Sequence, residues 1–102
     1  MDFASPHQKA ELEALCRRYH VRRLELFGSA ATGRSSRDGS DLDFLIEFAR
    51  LPPGTYADTY FGLREALEEL FGRPVALVVG SAIRNPYFRQ SVDETKVLLY
   101  AA

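Results

Sequence analysis

The stretch LELFGSAATGRSSRDGSDLDFLIEF, residues 24–48, contains two apolar runs separated by a short polar connection. The first run ends at Gly28-Ser29, and the second begins at Asp41 and Asp43, which are one residue apart. Both runs are short, rich in large apolar side chains and bounded by turn-forming residues, as is typical of strands. The sequence therefore predicts two strands joined by a loop, with an acidic pair at the start of the second strand.

The acidic pair is an unusual feature for a strand that should bury apolar side chains. Residues i and i+2 of a strand point to the same face, so Asp41 and Asp43 project together. Two neighbouring carboxylates repel each other, and burial strengthens the repulsion. A divalent cation removes this cost, and Mg²⁺ is typically held by one or two carboxylates together with substrate phosphates. We therefore expect Asp41 and Asp43 to be metal ligands for Mg²⁺.

The Gly28-Ser29 pair supplies a complementary phosphate-binding feature. A glycine lets the backbone approach a phosphate closely, and the following SAATG segment can form one helical turn whose N–H groups face an anion. The Ser29 hydroxyl can donate a further hydrogen bond. Each feature alone is weak, because most Gly-Ser pairs are ordinary turns and most Asp-x-Asp pairs are solvated strand ends. Their combination describes a metal–triphosphate site.

The remaining sequence predicts helices on both sides of these strands. Ser5-Pro6 has the residues of a helix start, and Gly72 those of a helix end. We expect helices at residues 6–19 and 57–72, a strand at 74–79, a short helix that starts after Asn85-Pro86, and a closing strand in KVLLY. This order predicts an α/β (α+β) fold with a small mixed β-sheet flanked by helices.

Composition limits the class of protein. A chain of 102 residues is the size of a single domain, which we assign to residues 1–102. The net charge of -1 argues against a nucleic acid as a direct substrate. The lone Cys16 cannot form an internal disulfide, and its position on a helix face predicts a small buried side chain. No apolar run is long enough to span a membrane and no secretion signal is present, so we expect a cytoplasmic protein.

The motif spacing resembles a known family. Gly28-Ser29, eleven intervening residues and Asp41-Leu42-Asp43 are similar to the signature of the minimal nucleotidyltransferases, the MNT type of the DNA polymerase beta superfamily. The resemblance continues through SDLDFLIEF and from NPYF to VLLYAA, and it covers residues 21–102. It implies a polymerase-beta-like nucleotidyltransferase fold. Several members of this group are antitoxins paired with HEPN-type toxins.

The resemblance also implies roles for individual residues. Gly28 and Ser29 would hold the triphosphate of ATP, and Asp41 and Asp43 would act as catalytic ligands of two Mg²⁺ ions. In-line attack on the α-phosphate would release pyrophosphate, and in the antitoxin members AMP passes to a tyrosine of the HEPN toxin. We add Ser40, although Ser40-Asp41 is also ordinary turn chemistry. Arg34 completes the nucleotide-binding set, since many relatives place an arginine where this chain has Thr32.

One position departs from the family pattern. The family expects a third catalytic acid on the strand after the long helix, where RPVALVV places Ala76. Alanine can neither bind a metal nor take a proton, and proton transfer by a placed group contributes about 10²–10⁴ in rate. Either AMP transfer is weakened, or the protein is a non-catalytic antitoxin that neutralises its toxin by direct protein–protein binding. An unrelated small domain with a chance Asp-x-Asp remains the third alternative.

The NPYF segment contains two adjacent aromatic residues at the start of the last helix. Core packing of Tyr87 and Phe88 is the favoured interpretation of this pair. The alternative is an anchor for a partner protein, because aromatic residues are concentrated in the cores of protein–protein interfaces. The two interpretations differ in whether these side chains are buried in the isolated chain.

Overall fold

The computed structural model describes residues 4–32 and 41–102, with the backbone alone at residues 29 and 32. The elements are α1 (Pro6–Arg18), β1 (Val21–Phe27), α2 (Ser29–Thr32), β2 (Leu42–Phe48), α3 (Tyr56–Phe71), β3 (Val75–Val79), a 3₁₀ turn (Gly80–Ala82), α4 (Pro86–Thr95) and β4 (Val97–Ala101). The predicted helices and strands are thus confirmed to within about a residue at their ends. The 3₁₀ turn lies in a segment that the sequence analysis treated as a simple connection.

The helix ends have the chemistry that the sequence indicated. Ser5 caps α1 by accepting a hydrogen bond from the backbone N–H of Gln8, whose side chain bonds back to the N–H of Ser5. Asn85 caps α4 through the N–H groups of Tyr87 and Phe88. Gly72 ends α3 in the left-handed conformation at φ 64. None of the helices in the two described segments is long and apolar enough to cross a membrane.

The four strands form one mixed sheet in the order β3-β2-β1-β4. β1 pairs antiparallel with both β2 and β4, whereas β2 pairs parallel with β3. A parallel pair needs a crossover connection, which α3 provides here. The predicted fold class, a small mixed sheet flanked by helices, is confirmed.

The two faces of the sheet are covered by different helices. One face carries the main core, in which α1 and α3 pack against the sheet. Its buried residues from the two helices and from β1 and β2 include Leu12, Cys16, Leu24, Leu26, Phe44, Ile46, Leu63 and Leu67. On the other face, Val92 of α4 packs with Phe27 and Leu45. The alternation expected for β2 is therefore present, since Asp43 and Leu45 lie on the face opposite Phe44 and Ile46. The acidic residues of β2 belong to the face that α4 covers in part.

The structure corrects the expectation that both aromatic residues of NPYF pack in the core. Tyr87 is 81% exposed. Phe88 is 40% exposed, and its ring meets that of Phe27 edge to face at a centroid distance of 6.0 Å. The reason is helical geometry: Phe88, Val92 and Thr95 follow the i, i+4, i+7 spacing of one helix face, and Tyr87 falls outside it.

Candidate functional site

Asp43 lies near the start of β2, which is one of the two central strands of the sheet. Its register partners are Phe27 of β1 and Ala76 of β3. Paired residues of neighbouring strands project from the same face, and the strands are about 5 Å apart. The side chain at position 76 therefore stands directly beside the Asp43 carboxylate, and it is half-buried.

Asp41 and Asp43 form a pair at the edge of this face. Asp41 is exposed and lies just before β2, whereas Asp43 is half-buried. Burial raises the pKa of Asp43 above its ordinary value of 3.8, and the negative charge of Asp41 raises the pKa further. The fold thus holds a carboxylate in a place that disfavours its charge, which is the cost that a bound cation would remove. The two oxygen-donor groups suit Mg²⁺, which prefers such ligands.

The glycine turn meets the acidic strand. Gly28 follows β1 with φ 76, and α2 begins at the next residue. A Cβ at position 28 would lie 2.8 Å from Asp43 Oδ2, so a residue with a side chain would collide with the carboxylate. The helical turn expected for SAATG is present, and the first N–H groups of a helix have no carbonyl partner within it. The structure therefore brings together a glycine, the start of α2 and the acidic pair.

Thr95 is a neighbour of this turn that the sequence analysis missed. The N–H of Gly28 donates a hydrogen bond of 2.9 Å to Thr95 Oγ1, across 67 positions of the chain. Helical spacing with Val92 was the available signal, because it places Thr95 on the inward face of α4. No local pattern connected Thr95 with Gly28. Since the N–H of Gly28 is already bonded, the N–H groups that open α2 are the backbone donors that an anion at this turn could use.

Of the other candidate nucleotide-binding residues, the structure describes only the backbone of Ser29, and it does not describe Arg34 or Ser40. The backbone of Ser29 begins α2 next to Gly28, as expected for a residue of the glycine turn. Ser40 and Arg34 lie outside the described residues, so their assignment to the nucleotide-binding set stays a prediction. No group of three or more His, Cys, Asp or Glu side chains placed to hold a metal occurs among residues 4–32 and 41–102. Within those segments, the metal-binding candidates remain Asp41 and Asp43.

Two further acids, Glu25 and Glu47, lie on the same face of the sheet as Asp43, but neither is beside its carboxylate. Glu25 is 5% exposed and pairs in register with Leu45, which is the next residue after Asp43 on the same face of β2. Its Oε1 lies 3.2 Å from Nε of Arg23, which compensates its charge. Glu47 is four residues beyond Asp43, about 13 Å along the strand. Neither acid stands where Ala76 does. A lone glutamate inside the apolar run LELF was the sequence signal for Glu25.

Comparison with known proteins identifies the family. The sequence model of the nucleotidyltransferase domain family matches residues 10–99 of the chain. The "Putative protein adenylyltransferase MJ0128" of Methanocaldococcus jannaschii is 34% identical over 93 residues, which are 91% of this chain and 87% of the relative. The chain belongs to the nucleotidyltransferase domain family.

Two solved structures are similar in fold. One is a "putative minimal nucleotidyltransferase", with a TM-score of 0.70 and 31% identity over 89% of this chain and 88% of the other. The second belongs to a complex of a tri-AMPylated Shewanella oneidensis HEPN toxin with an MNT antitoxin. It has a TM-score of 0.63 and 17% identity, and covers 94% of this chain and 71% of the other. At that identity the second structure shows the fold alone.

Proposed function

We propose that this member of the nucleotidyltransferase domain family is a cytoplasmic antitoxin that transfers AMP from Mg²⁺-bound ATP to a tyrosine of a partner HEPN-type toxin. The observation that carries the proposal is the position of Asp43 Oδ2, which lies 2.8 Å from where a Cβ of residue 28 would stand and so places the acidic pair against the glycine turn. The relative named as a protein adenylyltransferase supports a protein as the acceptor. The class of partner is proposed because the chain shares its fold with a chain from the complex of an AMPylated HEPN toxin with an MNT antitoxin.

Each residue of the site has a role in this proposal. Asp41 and Asp43 hold the metal through their carboxylates, and the N–H groups that open α2 bind the triphosphate together with Ser29. Ser40 and Arg34 complete the nucleotide-binding set. When bound, Mg²⁺ stabilises the negative charge on the attacking and leaving oxygens of the phosphoryl transfer. The protein contributes position and charge, which are the main requirements of such a transfer.

Ala76 lowers the expected rate. The position beside Asp43 is where a third carboxylate would share a metal and take the proton of the attacking hydroxyl. A methyl group does neither, so the attacking tyrosine must lose its proton to solvent. We therefore expect slow AMP transfer by a protein that still binds Mg²⁺ and ATP.

Calorimetry with ATP tests the binding part of the proposal. We expect Mg²⁺-dependent binding that Asp41→Asn weakens at least about tenfold, because one of the two metal ligands loses its charge. Asp93→Asn is the matched control, since Asp93 is an exposed acid on α4 that forms an ion pair with Lys96. Labelled ATP incubated with a HEPN-type toxin then measures transfer. Equal ATP affinity of the wild type and Asp41→Asn would refute the site.

A second function is favoured by the exposed aromatic side chains. Tyr56, Phe61 and Tyr87 are 49%, 54% and 81% exposed, and such residues are common anchors in protein–protein interfaces. With Ala76 beside Asp43, the protein could neutralise its toxin by direct contact without transferring AMP. Toxin inhibition by Asp41→Asn separates the two functions. Full inhibition without labelled product supports contact, and inhibition that is lost together with the label supports transfer.

A further inference from the structure

Thr95 presents its hydroxyl oxygen to the glycine turn as an acceptor. The oxygen lies 3.3 Å from the carbonyl oxygen of Ser91 and 3.4 Å from that of Val92, one turn earlier in α4. A hydroxyl has one proton to donate and two lone pairs to accept with. Because the proton is directed to the carbonyls of α4, the oxygen is available to the N–H of Gly28 at 2.9 Å. The amide can only donate, so the Thr95 oxygen is the acceptor, and the bonds to α4 hold that oxygen in place.

Gly28 is held from two sides. Asp43 Oδ2 occupies the space where a side chain would project, and Thr95 binds the backbone N–H. The carbonyl oxygen of Gly28 accepts a hydrogen bond of 3.1 Å from the N–H of Ala31, in the first turn of α2. The position of Gly28 thus determines where α2 begins and where its first N–H groups point.

We propose that Thr95 is a positioning residue for nucleotide binding, which fixes Gly28 so that the start of α2 faces the space beside Asp43. This inference rests on the proposed function of the site. Thr95 does not itself contact the nucleotide, because its hydroxyl is engaged by Gly28 and α4. The side chain acts across 67 positions of the chain, and Val92 anchors the same helix against Phe27 and Leu45. The C-terminal end of α4 is therefore part of the phosphate-binding structure.

Amide exchange of the wild-type protein tests the hydrogen bond without any ligand. We expect the Gly28 amide proton, observed by NMR, to exchange at least about tenfold more slowly than an unprotected amide. Exchange at the unprotected rate would overturn the inference, whatever the protein binds. This measurement needs no variant, so a substitution that fails to fold does not affect it.

Two substitutions at position 95 test the effect on nucleotide binding. Thr95→Val keeps the shape but removes the acceptor, and we expect it to weaken ATP binding in Mg²⁺ by about 5- to 10-fold and to speed Gly28 exchange. Thr95→Ser keeps the hydroxyl and should restore both. Thr59→Val is the matched control, because the Thr59 hydroxyl also bonds a carbonyl of its own helix segment, that of Thr55, at 2.8 Å.

The outcomes separate this inference from the proposed function. If the wild type binds ATP and Thr95→Val binds it equally well, the positioning role is wrong and the function stands. If the wild type binds no ATP, the proposed function fails, and the positioning of a nucleotide fails with it. Slow exchange of Gly28 that only Thr95→Val abolishes, together with weaker ATP binding, supports the inference.

Discussion

Ala76 and Asp43 are register partners in the parallel pair of β3 and β2, so their side chains stand next to each other on one face of the sheet. The glycine turn lies on the other side of Asp43, against Oδ2. The residue at position 76 therefore decides how many carboxylates can meet at this point. An acid at position 76 would place a third carboxylate beside Asp43, whereas the alanine places only a methyl group there.

The substitution Ala76→Asp should raise AMP transfer to a HEPN-type toxin by about 10²-fold or more, because it supplies the missing metal ligand and proton acceptor. Transfer is measured with labelled ATP. Without metal the added charge beside Asp43 should lower the melting temperature, and Mg²⁺ should restore it. Ala57→Asp adds the same charge at an exposed position in the first turn of α3, where a negative charge does not destabilise a helix, so it should neither raise transfer nor lower the melting temperature. Unchanged transfer to a toxin that a related enzyme modifies would show that position 76 lacks this role.

The substitution Asp43→Asn should raise the melting temperature of the metal-free protein at pH 7 while it abolishes metal-dependent ATP binding. The pKa of Asp43 is higher in the folded state than its ordinary value of 3.8, so folding favours the protonated form. Compared with neutral pH, protonation of Asp43 stabilises the folded state below pH 3.8, and this stabilisation is lost as the pH rises through the pKa of Asp43 in the folded state. The gain from asparagine should therefore shrink to zero as the pH falls towards 3.8. Thermal melts of both proteins across pH 3–8 measure it, and a gain independent of pH would contradict the explanation.

The substitution Gly28→Ala should impair both stability and ATP binding. A side chain at φ 76 is strained, at a cost of about 1–3 kcal/mol, and its Cβ would lie 2.8 Å from Asp43 Oδ2. Gly72→Ala is the matched control, because Gly72 has φ 64 but no atom within 4 Å of an added Cβ. The control should lose roughly 1 kcal/mol of stability and keep its ATP affinity. Chemical denaturation and calorimetry compare the two, and equal effects on ATP affinity would remove the special role of Gly28.

Cys16 should be inert to thiol reagents in the folded protein. Burial raises the pKa of Cys16 to about 12, and the neighbouring charge of Glu13 adds to the effect. The side chain is 0% exposed, so neither the thiolate nor access for a reagent is available near neutral pH. A disulfide reagent at pH 8 should therefore label the native protein at least about 10²-fold more slowly than the protein in denaturant. Rapid stoichiometric labelling of the native state would contradict the buried position.

Local sequence patterns determined the elements of this protein. The cap residues Ser5 and Asn85, the stop at Gly72 and the alternation of β2 predicted the observed helices and strands, because these features depend on residues only a few positions apart. The same patterns predicted that Asp41 and Asp43 project from one face. The resemblance to a family then marked position 76, through the missing acid on a third strand.

The tertiary structure decided which of these elements meet. The strand order β3-β2-β1-β4 brings Ala76 beside Asp43, and the packing of α4 brings Thr95 to Gly28. It also left Tyr87 exposed, although its apolar ring suggested the core. Contacts between residues 33 and 67 positions apart depend on the arrangement of whole strands and helices. The spacing of apolar residues predicts only which face of its own helix or strand a side chain lies on. It does not predict which other helix or strand that face meets, so these contacts are known only from the fold.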